Sequence, residues 1–254
     1  MIDFTLKSYA EYVTMIKHNF EHILTFEEYF LWNKRLDKFC IIRHDVDRKP
    51  ENALKMAILE HELGMRSTYY FRTKKRVFDR QIIRKIARMG HEIGYHYESL
   101  SDTNGDMNSA LSDFESNINK LRQIVKVSTI CMHGRPFSRY DDRDLWRDIS
   151  NHKLLLDKFG ITGEVYLDID YSNIAYISDT GRNWSQDRDN VRDKVDSEVE
   201  LTISCQEDLV AFFKNRCNSK LIFLVHPERW HSDFMGYSIQ FMKDQLINNA
   251  KRFV

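Results

Sequence analysis

The stretch FCIIRHDVDRKP, residues 39–50, changes character halfway along its length. Phe39 to Ile42 form an apolar run, rich in β-branched residues, of the kind that fills a strand buried on both faces. Arg43, His44, Asp45 and Asp47 then follow within five positions. A core strand does not end this way by chance composition alone. In sheets built from strand–helix units, ligands gather at the carboxyl ends of the strands, so 39–46 reads as the strand and the charged residues as its mouth.

Working outward, the same pattern recurs. MRSTYYF (65–71), HEIGYHYE (91–98), VSTICMH (127–133), EVYLDI (164–169), IAYIS (174–178) and LIFLVH (221–226) read as strands. Helical periodicity covers 7–19, 50–63, 79–89, about 106–125, 142–158, 205–217 and about 238–252, with Pro50 in a first turn and Gly64 and Gly90 at helix ends. Alternating strands and helices imply parallel pairing through crossovers. An open sheet and a distorted barrel both satisfy that pattern. There is no internal repeat and no Pro/Gly-rich linker, and residues 1–254 read as one domain.

Composition excludes several functions. Lys plus Arg and Asp plus Glu number 38 each, so the chain has no net charge to follow a nucleic-acid backbone. No apolar run approaches the roughly 20 residues that span a bilayer, and no basic patch marks a membrane surface. The N-terminus, MIDFTLKSYAEYV, does not read as a signal peptide. The expected compartment is the cytoplasm, with Cys40, Cys131, Cys205 and Cys217 as buried, reduced thiols.

The strand mouths hold the chemistry. Side chains alternate along a strand, so Arg43, Asp45 and Asp47 share one face and His44 and Val46 the other. Carboxylates two residues apart, about 7 Å at the backbone, need a compensating cation, either a divalent ion or Arg43. Asp47 could instead cap the helix that follows. On 91–98, His96 shares a face with Glu92, Gly94 and Glu98; His91 faces the other way and reads as structural, while Gly94 leaves room beside His96. His133 and His226 each end an apolar strand. Imidazole and carboxylate together are the donors of catalytic zinc and related ions. His18, His22, His61, His152 and His231 read as surface or packing residues, Asp168 and Asp170 as loop carboxylates, and DRDNVRDKVDSEVE (187–200) as a solvated flap.

GHEIGYH, RHDVD, Arg135-Pro136 and LVHPERW together resemble the motifs of the polysaccharide deacetylase family, carbohydrate esterase family 4 or the NodB-homology group, over about 39–230. The variant set looks most like a subgroup tied to bacterial surface-polysaccharide synthesis. The resemblance implies a distorted (β/α) barrel of about seven strands and metal-dependent removal of an N-acetyl group from a sugar or nucleotide-sugar precursor. By motif, Asp45 is the general base, His226 the general acid and Arg135 the residue that steers the base. Asp47 and His96 bind the metal, zinc first among divalent ions, and Asp179 orients His226. The family's second metal histidine falls here on Leu100, a non-ligand. His133 is the replacement candidate, with Glu98 second. Two other functions fit the same residues: hydrolysis of another non-peptide C–N bond, or ligand binding by a barrel with a degenerate metal site. Trp230 and Tyr97 are candidates for stacking on a sugar. Oligomeric state leaves no signal.

Overall fold

The computed structural model describes residues 2–32, 36–135, 137–147, 151–184, 192–215 and 220–251. Eight strands form one sheet: β1 (Ile23–Leu24), β2 (Phe39–Val46), β3 (Thr68–Phe71), β4 (Glu92–Tyr97), β5 (Thr129–Met132), β6 (Gly163–Glu164), β7 (Ile174–Ser178) and β8 (Lys220–Val225). Their order is β6-β5-β4-β3-β2-β8-β7, with β1 beside the start of β2, and every pairing is parallel. Among the described residues β6 and β7 do not pair, so the ring of seven strands stays open at that seam.

The sheet nevertheless curls. Tyr70 of β3, Cys131 of β5, Tyr176 of β7 and Ile222 of β8 join Ile41 of β2 in one interior cluster, although β5 and β7 stand at nearly opposite ends of the strand order. The fold is a distorted, open (β/α) barrel. Residues of the other parity, such as Cys40, Ile42, Tyr69, Tyr95 and Ile130, pack outward under the helices. Residue parity thus separates barrel interior from exterior, and on β2 it turns Arg43 and Asp45 inward and His44 outward.

Local chemistry places the helices. Asp79 caps Arg80–Arg88 through the amides of Gln81 and Ile82, and Ile82, Ile83 and Ile86 bury the inner stripe. Asp106 caps Met107–Arg122, whose Ala110, Phe114, Ile118 and Leu121 face the sheet. Pro50 starts Pro50–Glu62 after Lys49 in the left-handed region, with no side-chain cap. Asp47 is therefore not the cap of this helix. Leu6–Asn19 begins with a Thr5/Ser8 capping box, and Phe234–Lys251 closes the described chain. Among the described residues no helix is long and apolar enough to cross a membrane.

Two sequence expectations fail for identifiable reasons. The strand expected at 164–169 stops at Glu164, because the Glu164 carboxylate accepts the amides of Tyr166 (2.7 Å) and Leu167 (2.9 Å) and turns the chain. The helix expected at 142–158 is a 3₁₀ turn at Asp142–Leu145 and a short helix at His152–Lys158. Asp142 is drawn away to cap Ser101, accepting its amide at 2.9 Å, and Trp146 is locked among Tyr97, Phe114 and Phe159. Cys40 and Cys131 are buried as expected, but Cys205 is exposed; Cys217 and Pro136 lie outside the described residues.

Candidate active site

The inward parity continues past the strand ends, bringing Asp45, Asp47, His96, His133 and His226 to one cleft of about 690 Å³. At β2, Arg43 lies fully buried and forks onto Asp45, with Nε 2.8 Å from Oδ1 and Nη2 2.6 Å from Oδ2. Its remaining donors reach Tyr166 Oη (2.9 Å) and Tyr176 Oη (3.4 Å). Burial pushes the Asp45 carboxyl up, but Arg43 and then His96 outweigh it and hold the group below the ordinary carboxylate value.

His96 and His133 are oriented from behind. His96 Nδ1 donates to the Cys131 carbonyl at 2.9 Å, which leaves Nε2 aimed at Asp45 Oδ2 and Asp47 Oδ1, each 3.4 Å away. His133 Nδ1 donates to Glu98 Oε2 at 3.2 Å, and its Nε2 lies 3.4 Å from Asp47 Oδ2. Glu98 is itself gripped by Arg72, whose Nε and Nη2 lie 2.9 and 2.7 Å from Oε1. An imidazole fixed at one nitrogen by a carbonyl or carboxylate, with the other nitrogen free, is the usual arrangement of a metal-ligating histidine.

One donor atom each from Asp47, His96 and His133 can be chosen so that all lie within 4.8 Å of one another. Asp47 Oδ1 is shielded from solvent and makes no hydrogen bond among the described residues, despite His96 Nε2 at 3.4 Å. An orphaned carboxylate oxygen facing two presented imidazoles fits a divalent ion. Burial pushes His133 down, but Asp47 and Glu98 prevail and raise it to about 9. Burial pushes Asp47 up, while His133 and His96 hold it well below the usual range. A second grouping, Asp45, His96 and Cys131, also lies close. There Asp45 already carries Arg43, and burial raises the Cys131 thiol well above its ordinary value, so the first grouping has the better donors.

Across the cleft, Asp179 organises His226. It accepts His226 Nδ1–H at 2.6 Å and the His226 amide at 2.9 Å. Arg229 Nη1 (2.7 Å) and Trp230 Nε1 (2.8 Å) complete four donors on one carboxylate. Burial and Arg229 lower the His226 imidazole's affinity for a proton, and Asp179 reverses that, for a net rise.

Other expected residues lie elsewhere. Arg135 does not touch Asp45; its Nη1 reaches Asp102 Oδ1 at 3.0 Å and Glu98 Oε2 at 3.7 Å, and Arg43 takes the place beside Asp45. Glu98 stands behind His133 and not among the three close donors. Leu100 is buried in the short helix Ser99–Asp102. Trp230 and Tyr97 are fully buried and offer no face to a sugar. The space at Gly94 belongs to Tyr70, whose Cε1 would lie 2.1 Å from an added Cβ. His91 accepts the Ser67 amide and bonds the Ala57 carbonyl, a structural role. His152 pairs with Asp168 at 2.8 Å.

Two residues were outside the sequence expectation. Arg72 follows β3 in YYFRT, and carries the same signal as the other mouths, a charge directly after an apolar strand. Asp193 accepts Tyr166 Oη (2.6 Å), Ser178 Oγ (2.8 Å), Thr180 Oγ1 (2.8 Å) and Tyr176 Oη. Nothing in its charged surroundings distinguishes it in sequence. Its part of the expected flap is tied to the barrel; 187–191 lie outside the described residues.

No protein-family model matches the chain, and no curated protein matches it significantly. Among solved structures, the chain is similar to a CE4 esterase of Streptococcus mutans, at 14% identity and a TM-score of 0.46 over 89% of this chain and 87% of that one. It is also similar to the Xyl-CE4 domain of a multidomain xylanase from the hindgut metagenome of Trinervitermes trinervoides, at 14% identity and TM-score 0.41 over 83% and 85%. A family 4 carbohydrate esterase from Streptomyces lividans, solved with acetate, gives 12% identity and TM-score 0.40 over 85% and 90%.

Proposed function

We propose that the chain is a metal-dependent hydrolase that removes an N-acetyl group from a sugar, with Asp47, His96 and His133 holding a divalent ion, zinc first. The observation that carries this reading is the pair of back-anchored histidines facing an orphaned Asp47 oxygen, in a cleft that also contains Asp45 and His226. When bound, the ion supplies positive charge that polarises a carbonyl and makes water more acidic. Asp45, kept ionised by Arg43, accepts a proton from the attacking water. His226, its Nδ1 proton committed to Asp179, presents Nε2 to the leaving nitrogen and delivers a proton there. Arg43 fixes the base in place, the role the motif assigns to Arg135. The motif likeness supports the acetamido substrate and, more finely, a precursor of a bacterial surface polysaccharide.

The test is acetate release from N-acetyl sugars by protein reconstituted with zinc, cobalt or nickel. The expected result is metal-dependent release that falls about 100-fold or more in Asp45→Asn. A protein that binds metal yet releases no acetate from any N-acetyl sugar refutes the deacetylase and leaves hydrolysis of another C–N bond or ligand binding.

A further inference from the structure

Arginines cluster on the outer wall of the cleft beyond what the metal site uses. Arg192 passes close to Gly134, the residue after the candidate ligand His133: an added Cβ there would lie 3.0 Å from Arg192 Cβ. Its backbone position is secured by the four hydroxyls bound to Asp193. Among the described residues the guanidinium has no carboxylate closer than 3.7 Å. Nη2 donates to the Ser138 carbonyl at 2.7 Å, and Nε is shielded with no partner among the described residues. The carboxylate that Arg192 pairs with among the described residues, Asp141, already carries Arg143 (2.6 Å) and Arg147 (3.3 Å). Arg139, on the same wall, lies over the Tyr140 ring at 4.8 Å and has no carboxylate partner among the described residues. Phe137, two residues before Arg139, lines the cleft and is 59% exposed.

Among the described residues, Arg192 has only a shared, 3.7 Å carboxylate and Arg139 has none, and both line the cleft with the exposed Phe137; arginine forks suit anions with several oxygens. We infer that this wall binds a phosphoryl group carried by the substrate, so that the sugar enters the cleft as a phosphate ester. The inference rests on the deacetylase reading only for the identity of the sugar end. Two rigid forks match the several oxygens and double charge of a phosphate ester. Phe137 offers a flat apolar surface for the sugar ring or a nucleobase.

Calorimetric binding to metal-free protein tests it, with N-acetylglucosamine, its 1-phosphate, UDP and UDP-N-acetylglucosamine as probes. The 1-phosphate or the UDP-sugar is expected to bind about tenfold or more tightly than the neutral sugar. Arg192→Ala and the exposed-site variant Arg139→Ala each remove most of that preference, and Arg192→Lys restores part of it. Asp47→Asn keeps it, which places the phosphate away from the metal ligands. Binding of UDP alone, lost in Arg192→Ala, identifies a nucleoside diphosphate as the carrier; preference for the 1-phosphate without UDP binding identifies a sugar phosphate. Equal binding of neutral and phosphorylated sugars, no binding of any phosphorylated probe, or a preference untouched by both arginine variants overturns the proposal. Acetate release is a separate readout. Phosphate preference without release removes the deacetylase reading alone, and release without preference removes this inference alone.

Discussion

At the scale of single residues, the metal donors and their supports separate by what each substitution should cost. Asp47 and His133 offer atoms that lie within 4.8 Å of each other and of His96, so elemental analysis should find near one equivalent of metal in the native protein and its loss in Asp47→Ala and in His133→Ala. Glu98 touches only the far nitrogen of His133, so Glu98→Gln should weaken metal affinity about 10- to 100-fold and still bind at saturating metal. Asp45→Asn should retain the ion while losing acetate release. Metal loss with Glu98→Ala but not with His133→Ala would reverse the assignment. The sequence keeps Glu98 as second choice to His133 because it shares the His96 face, while His133 offers an imidazole at the next strand mouth. Arg72 separates them by occupying Glu98, and Arg72 comes from a different strand.

At the scale of elements, β2 divides its polar residues between two sites. Arg43 and Asp45 face the cleft, while His44 turns outward to a buried cluster on the helix Pro50–Glu62. There Glu60 accepts His44 Nε2 (2.7 Å), Tyr69 Oη (2.7 Å) and Tyr9 Oη. Burial pushes Glu60 up, but His44, His91 and the Tyr9 hydroxyl bring it down to about 2. A depressed carboxylate stabilises the fold above its unfolded value and loses that contribution as pH falls through the folded one. From an ordinary 4.5 to about 2, the difference amounts to on the order of 3 kcal/mol, lost between roughly pH 5 and pH 2. Denaturant titrations across that range should show the loss, and Glu60→Gln should flatten it while lowering stability at pH 7. An unchanged acid slope in Glu60→Gln would place the acid sensitivity elsewhere. The element pattern of the sequence anticipated the barrel strands but missed the short β1 and drew β6 too long. Glu164 shortened β6 through hydrogen bonds to its own neighbours, a local competition that strand periodicity does not register.

At the scale of the whole molecule, the open seam between β6 and β7 is bridged by side chains. Arg43 of β2 reaches Tyr166 after β6 and Tyr176 of β7, and Asp193 joins both tyrosines to Ser178 and Thr180. Asp193→Ala should release this bridge. Limited proteolysis at 192–200 should accelerate several-fold, and affinity for a phosphorylated probe should fall with it because Arg192 loses its anchor. Unchanged cleavage would show that Asp193 does not hold the segment.

Strand mouths, interior parity and the choice of His96 over His91 were determined by the sequence alone, because the period of two along a buried strand leaves each side chain only one of two faces. What only the tertiary structure decided was partnership. Arg43 and not Arg135 took Asp45, His133 and not Glu98 faced Asp47, and Asp193 left a charged run to close the seam. The reason is that a salt bridge or a metal donor is set by the register and curl that bring different strands together, and the pattern within any one strand carries no record of its neighbour's alignment.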